Sequence, residues 1–214
     1  MCGISGFIDY QKRTSRDILE KMNRTIEHRG PDGEGYALFN ADAAAIGLGH
    51  RRLSIIDLSE GGRQPKTYKK LHITFNGEIY NYKEIKARLE SKGHRFSSHS
   101  DTEVILHAYE EWGSEALQQF IGMYAFAIYD EEKQKLFACR DRAGVKPFFY
   151  YWKDGLFLFG SELKVLMQHP GFEKKINTDA IAAFLQFAYV PTPHCIFHDT
   201  HKLNPGHFIT VDVK

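Results

Sequence analysis

Met1-Cys2-Gly3-Ile4-Ser5-Gly6-Phe7-Ile8-Asp9-Tyr10 opens the chain, apolar or small from its second position onward. Ile4 and Ile8 among small residues predict a β-strand over residues 2–10. Chain ends usually fray, so a strand that begins at residue 2 needs something to hold it. Outward from this strand, Ser15 or Thr14 can cap a helix whose apolar face is Ile18, Leu19, Met22 and Ile26, with Gly30 as its stop. Arg29-Gly30-Pro31-Asp32-Gly33 reads as a turn. Strands are predicted over 36–39, 45–48, 53–58 and 72–75, the last running into Asn76-Gly77. Asn81 with Glu84, and Ser100 with Glu103, have capping-box spacing, and their helices close at Gly93 and Gly113.

A short helix over 114–120 precedes strand 123–129, which is too apolar to expose a face and pairs with 135–140 across Asp130-Glu131-Glu132-Lys133. Asp154-Gly155 between 148–152 and 156–159 is a strong hairpin signal. Ser161 and Thr178 are expected to open two later helices, and 208–213 is a closing strand. No linker or repeat interrupts residues 1–214, so the expectation is one α+β domain. Strands that group into antiparallel hairpins are best buried as two sheets covered by helices.

Composition narrows the function. Apolar residues are 43% and charged residues 26% of the 214, which excludes an intrinsically disordered chain. Lys and Arg number 28 against 27 Asp and Glu, a net charge of +1, so no nucleic-acid partner is expected. The longest apolar runs, 123–129 and 147–152, fall far short of the ~20 residues that span a bilayer, so no membrane helix is expected. No secretory leader is read at the start. Cys2, Cys139 and Cys195 are odd in number and widely spaced, which points to free thiols and a reducing, cytoplasmic setting.

Several residues could carry chemistry. If Met1 is trimmed, Cys2 becomes the first residue and brings its own base, an α-amine of pKa ~7.7–8 beside a thiol of pKa ~8.5. The alternative is a small buried hydrophobe starting a strand. An Asn76 amide with a Gly77 N–H suits a developing oxyanion, or the pair is a type I′ turn, although the helix opened by Asn81 leaves little room for a returning strand. Asp101 and Glu78 suit an amino acid's α-amine, and Arg52 its α-carboxylate through a bidentate fork. Equally, Asp101 could be a helix cap, Glu78 a loop charge and Arg52 a water-facing strand residue. His194, Cys195, His198 and His201 fit no usual zinc spacing and sit in a loop with Pro191, Pro193 and Pro205, so no metal is expected. Phosphate-binding, dinucleotide-binding and nucleophile-elbow motifs are absent.

Taken together the candidates form a pattern: Met1-Cys2-Gly3-Ile4-Ser5-Gly6, Arg29-Gly30-Pro31-Asp32-Gly33, His50-Arg51-Arg52-Leu53-Ser54-Ile55, Phe75-Asn76-Gly77-Glu78-Ile79-Tyr80-Asn81, Ser100-Asp101-Thr102-Glu103, Arg140-Asp141-Arg142 with Gly144 and Lys146-Pro147, and Gly160-Ser161-Glu162. Seven motifs in this order resemble the N-terminal glutaminase domain of glutamine-dependent asparagine synthetases, class II amidotransferases with an N-terminal cysteine. The resemblance implies an N-terminal-nucleophile hydrolase fold, a four-layer αββα sandwich. It implies Cys2 as nucleophile with its amine as base, and Asn76 and Gly77 as oxyanion hole. Arg52 would then hold the carboxylate of L-glutamine and Glu78 and Asp101 its amine, with Leu53 and Ile55 lining the pocket. It further implies no cofactor in this domain. A C-terminal synthetase domain using ATP and magnesium would take the ammonia to amidate aspartate or a related carboxylate; that domain is not in this sequence, which is therefore expected to be an isolated amidotransferase domain. Arg142 stands where the family more usually has Pro. A homodimer is left open, as are a catalytically silent glutamine-sensing domain and an amidase of this fold acting on another amide.

Overall fold

β1 (Gly3–Asp9) lies in the interior of a six-stranded antiparallel sheet in the computed structural model, which describes residues 1–54 and 60–214. The other strands of this sheet are β2 (Gly33–Asn40), β3 (Ala45–Arg52), β8 (Phe149–Lys153), β9 (Leu156–Gly160) and β10 (Thr200–Lys202). Their order is β10-β8-β9-β1-β3-β2, with β1 paired to β3 through Gly3↔Arg51 and to β9 through Ser5↔Gly160. A second antiparallel sheet, ordered β11-β7-β6-β5-β4, contains β4 (Lys66–Tyr68), β5 (Leu71–Ile79), β6 (Gly122–Asp130), β7 (Lys135–Arg140) and β11 (Phe208–Asp212).

Period-two alternation makes each strand serve two cores. Ile4 and Ile8 of β1 pack between the sheets, while Phe7 points outward against Leu19 and Met22 of α1 (Arg16–Arg24). On β6, Ala125 and Ala127 face the first sheet, and Tyr124, Phe126 and Ile128 face the helices α2 (Tyr82–Ser91) and α3 (Asp101–Trp112). Small residues inward and large ones outward let the sheets close on each other, with Ala138 of β7 joining the alanines opposite Ile46, Phe157 and Phe159. α5 (Leu163–Leu166) joins α1 on the outer face of the first sheet, which completes four layers, αββα. Burying a residue such as Phe7 contributes ~1.5–3 kcal/mol, so both faces of β1 anchor it.

The sequence expectations need several corrections. The first helix stops at Arg24, and a single 3₁₀ turn, Glu27–Arg29, carries the chain to Gly30. Thr14 gives its hydroxyl to Asp9 instead of capping that helix. Asn81 does not cap α2 with its side chain; it bridges to the Gln119 carbonyl and the Ile121 N–H. The expected helix over 114–120 is a 3₁₀ turn, Gly113–Glu115, followed by α4 (Ala116–Gln119). Ser161 bonds to β1 and leaves the cap of α5 to Glu162, while Asn177 caps α6 (Thr178–Phe187). Leu53 and Ser54 belong to no strand, and the rest of the predicted strand 53–58 lies outside the described residues. β4 and β10 were too short to be read in advance.

α6 is unusual for its composition. Only Ala180 is buried, while Phe184 and Leu185 are 51% and 79% exposed. Among the described residues no helix is long and apolar enough to cross a membrane.

Candidate active site

A cavity of about 350 Å³ opens where the start of β1, the end of β3, the middle of β5 and the first turn of α3 converge. Cys2, Arg52, Leu53, Asn76, Gly77, Glu78 and Asp101 all line it. Ile55, the remaining predicted site residue, lies outside the described residues.

The unfrayed terminus has its explanation here. Arg29 donates from Nε to the Cys2 carbonyl at 3.0 Å and from a terminal nitrogen to Glu162 at 3.1 Å. Ser161 accepts the Ile4 N–H at 3.0 Å and returns its own N–H to the Ile4 carbonyl. Arg29, Ser161 and Glu162 thus position the cysteine without lining the cavity. All three sit in motifs visible in the sequence, but nothing there says what they hold.

The Cys2 thiol is half-buried and engaged by Leu53, whose N–H donates to Sγ at 3.3 Å while the thiol faces the Leu53 carbonyl at 3.5 Å. Burial pushes its pKa up; the Leu53 N–H, the terminal amine and Arg52 pull against this, and Asp101 adds to it. The net direction is upward. A thiol in this setting needs a base to become a nucleophile.

The Asn76-Gly77 pair is no turn: β5 runs straight through it to Ile79, in register with β6 as Asn76↔Ala125 and Gly77↔Tyr124. β4 covers only Leu71 to Ile73 of β5, so the outward N–H groups beyond need other acceptors. Gln64 Oε1 takes that of Phe75 at 2.6 Å, and Asp101 Oδ2 takes that of Ile79 at 3.0 Å. By strand alternation the Gly77 N–H lies between these two and faces the same side, toward the cavity. A Cβ on Gly77 would stand 2.2 Å from the Met123 carbonyl oxygen, so glycine is required. Asn76 is 1% exposed, and its Nδ2 has no hydrogen-bond partner among the described residues. An orphaned buried donor is costly and rare. Two donors with no competing acceptor among the described residues are what a developing oxyanion requires.

The charged candidates occupy the other end. Asp101 is not the cap of α3; Ser100 is, accepting the Glu103 N–H, and Asp101 is left to face the cavity. Burial, reinforced by the charge of Glu78, raises Asp101 to about 6 against the pull of the Ile79 and Thr102 N–H groups. Glu78 is a half-buried strand residue, not a loop charge, and Arg52 ends β3 facing the cavity. His50 sits beneath them, 1% exposed, with Nε2 3.1 Å from the Phe75 carbonyl. Burial lowers it to about 3, so it is neutral and donates, tying one sheet to the other.

The loop after β7 supplies one residue the sequence left without a role. Asp141 accepts the N–H groups of Tyr124, Ala143, Val145 and Lys146. Arg140 donates to the carbonyls of Gly144, Lys146 and Leu203. Between them they set Lys146 into the cavity wall. Arg142 points away, to Leu117 and Gln118.

The model of a glutamine amidotransferase domain family matches residues 1–214. A Methanocaldococcus jannaschii protein named as a glutamine-hydrolysing asparagine synthetase is 40% identical over 231 residues, covering 100% of this chain and 44% of that protein. An asparagine synthetase (glutamine-hydrolysing) of Bacillus subtilis is 39% identical over 98% of this chain and 34% of its own length. The chain therefore spans less than half the length of these relatives. Among solved structures, the glutamine phosphoribosylpyrophosphate amidotransferase of B. subtilis superposes with a TM-score of 0.64 at 17% identity, over 100% of this chain and 49% of that one. The two-sheet sandwich is thus the expected N-terminal-nucleophile fold. With its whole length matched by that domain model, the chain belongs to the glutamine amidotransferase domain family.

Proposed function

We propose that the chain hydrolyses the side-chain amide of L-glutamine to glutamate and ammonia through a thioester on Cys2. The observation that carries this is the buried, unpartnered Nδ2 of Asn76 facing the cavity that also holds the Cys2 thiol. Once Met1 is removed, the α-amine of Cys2 takes the thiol proton, and sulfur attacks the carboxamide carbon. The oxyanion rests on Asn76 Nδ2 and the Gly77 N–H. The amine returns the proton to the departing nitrogen, ammonia leaves, and water cleaves the thioester by the same route. Arg52 pairs with the α-carboxylate, and Glu78 and Asp101 with the α-ammonium. Such a site favours glutamine over simple amides, which carry neither an α-carboxylate for Arg52 nor an α-ammonium for Glu78 and Asp101. Every step uses the chain's own groups, with no metal or cofactor.

Glutamate release by Cys2→Ala, and by a chain with an uncleaved extension ahead of Cys2, tests the assignment. Both should be inactive; wild-type turnover in either would refute it.

We further propose that residues 1–214 act as an amidotransferase domain whose ammonia passes to an ATP-dependent synthetase domain, for amidation of aspartate or a related carboxylate. The names and greater length of the relatives support this reading. So does the apolar stripe of α6, Ile181, Phe184 and Leu185, which meets no described residue that buries it. Such a face is suited to packing against that neighbouring domain. Three free cysteines suit a reducing compartment, the cytoplasm.

A further inference from the structure

The amine base proposed for Cys2 must be unprotonated when it accepts the thiol proton. A free α-amine titrates at ~7.7–8, so at neutral pH most of it would be charged and idle. Something near it has to disfavour the second cation.

Lys146 stands in the right place. It is 4% exposed, its N–H and carbonyl are pinned by Asp141 and Arg140, and its side chain shares the cavity wall with Cys2. Its Nζ lies 3.2 Å from Met1 Sδ, its one hydrogen-bond partner among the described residues. A thioether is a weak acceptor, so this buried ammonium is poorly satisfied. Loss of Met1 removes even that contact and leaves the new amino terminus where Met1 was attached.

We propose that Lys146 is a positioning residue for the amine base: its fixed ammonium keeps the α-amine of Cys2 neutral at working pH. The inference rests on the proposed function above. Burial pulls the pKa of Lys146 down and Arg29 adds to this; the charges of Glu78, Cys2 and Asp141 oppose it, and the net direction is downward from the ordinary lysine range. The groups facing this corner are Glu78 from β5, Asp101 from α3 and Asp141 from the loop, all anionic, with Arg29 and Arg52 cationic and His50 neutral. In free enzyme the carboxylates of Glu78 and Asp101 oppose Lys146. Bound glutamine covers both with its α-ammonium, so Lys146 and Arg29 act on the amine more strongly in the complex, with Asp141 the remaining anion.

The test compares Lys146→Met and Lys146→Arg with the wild-type chain, each with a free Cys2 terminus verified by mass spectrometry. In Lys146→Met the acid limb of kcat should move up by about one pH unit, the low end of what a close charge imposes. That is about a tenfold loss at neutral pH, recovered in alkali, with little change in KM. Lys146→Arg should keep the wild-type profile. A uniform loss at every pH, or a rise in KM alone, would overturn the inference in favour of packing or substrate binding. Should Lys146→Met not fold, the ¹⁵N shift of the α-amine of residue 2 in glutamine-bound Cys2→Ala, which cannot turn glutamine over, decides: titration below ~7.7 supports the proposal and at or above that value overturns it. Activity in Cys2→Ala would instead sink the thioester reading and this inference with it.

Discussion

Asn76→Ala should separate catalysis from stability. The Asn76 side chain is buried, yet its Nδ2 has no partner among the described residues. An unsatisfied buried donor costs ~1–3 kcal/mol, so deleting it relieves a penalty while losing the packing of a small side chain. The two nearly cancel, and unfolding free energy should change by less than about 1 kcal/mol. Turnover should behave oppositely. One oxyanion donor contributes ~10²–10³ in kcat, about 2.7–4 kcal/mol. The donor acts on charge that exists only after attack, so kcat and kcat/KM should fall together, with KM little changed. Glutamate release gives the kinetic constants, and urea unfolding followed by circular dichroism gives the stability. Turnover within about tenfold of wild type would refute the oxyanion assignment. A loss of several kcal/mol in stability would instead show that Nδ2 is bonded after all.

Other consequences follow from the charges. Asp101 must be ionised to pair with an α-ammonium, and its pKa is raised to about 6; glutamine affinity of Cys2→Ala, by calorimetry, should weaken as pH falls through about 6 and lose that dependence in Cys2→Ala with Asp101→Asn. Glu103 is held at about 2 by the Ser97 and Ser98 N–H and hydroxyl groups, outweighing its burial. Its folded pKa is depressed, so its stabilisation is present above the unfolded value of ~4.3 and is lost as pH drops toward 2. Glu103→Gln should therefore cost about 2 kcal/mol at neutral pH, a difference from wild type that narrows in acid denaturation curves. Leu185→Glu on the 79% exposed side of α6 should change the urea midpoint of this chain by no more than about 0.5 kcal/mol equivalent; a larger loss would mean that α6 is packed within residues 1–214.

Local signals were readable where one strand or turn decides them. Asp154 and Gly155 both take positive φ between β8 and β9, as the dipeptide demands. Ser100 caps α3 as its spacing requires, although the Glu103 carboxylate reaches Ser97 and Ser98 and not back to Ser100. The same spacing misled at Asn81, whose amide found two backbone partners across the fold near α4. Asn76-Gly77 was ambiguous for a similar reason: as a dipeptide it favours a turn, and pairing with β6 holds it extended.

Motif residues and the alternation that lays Ile4 and Phe7 on opposite faces depend on neighbours in the chain, so they could be named from the order of amino acids. Which of those residues meet depended on how the strands stack. Cys2, Asn76 and Asp101 belong to different elements, and only the closure of two sheets over small alanines brings them to one cavity. Arg29 bracing the Cys2 carbonyl, and Lys146 set beside it, arise from contacts spanning 27 and 145 positions, a separation at which sequence spacing carries no geometric information.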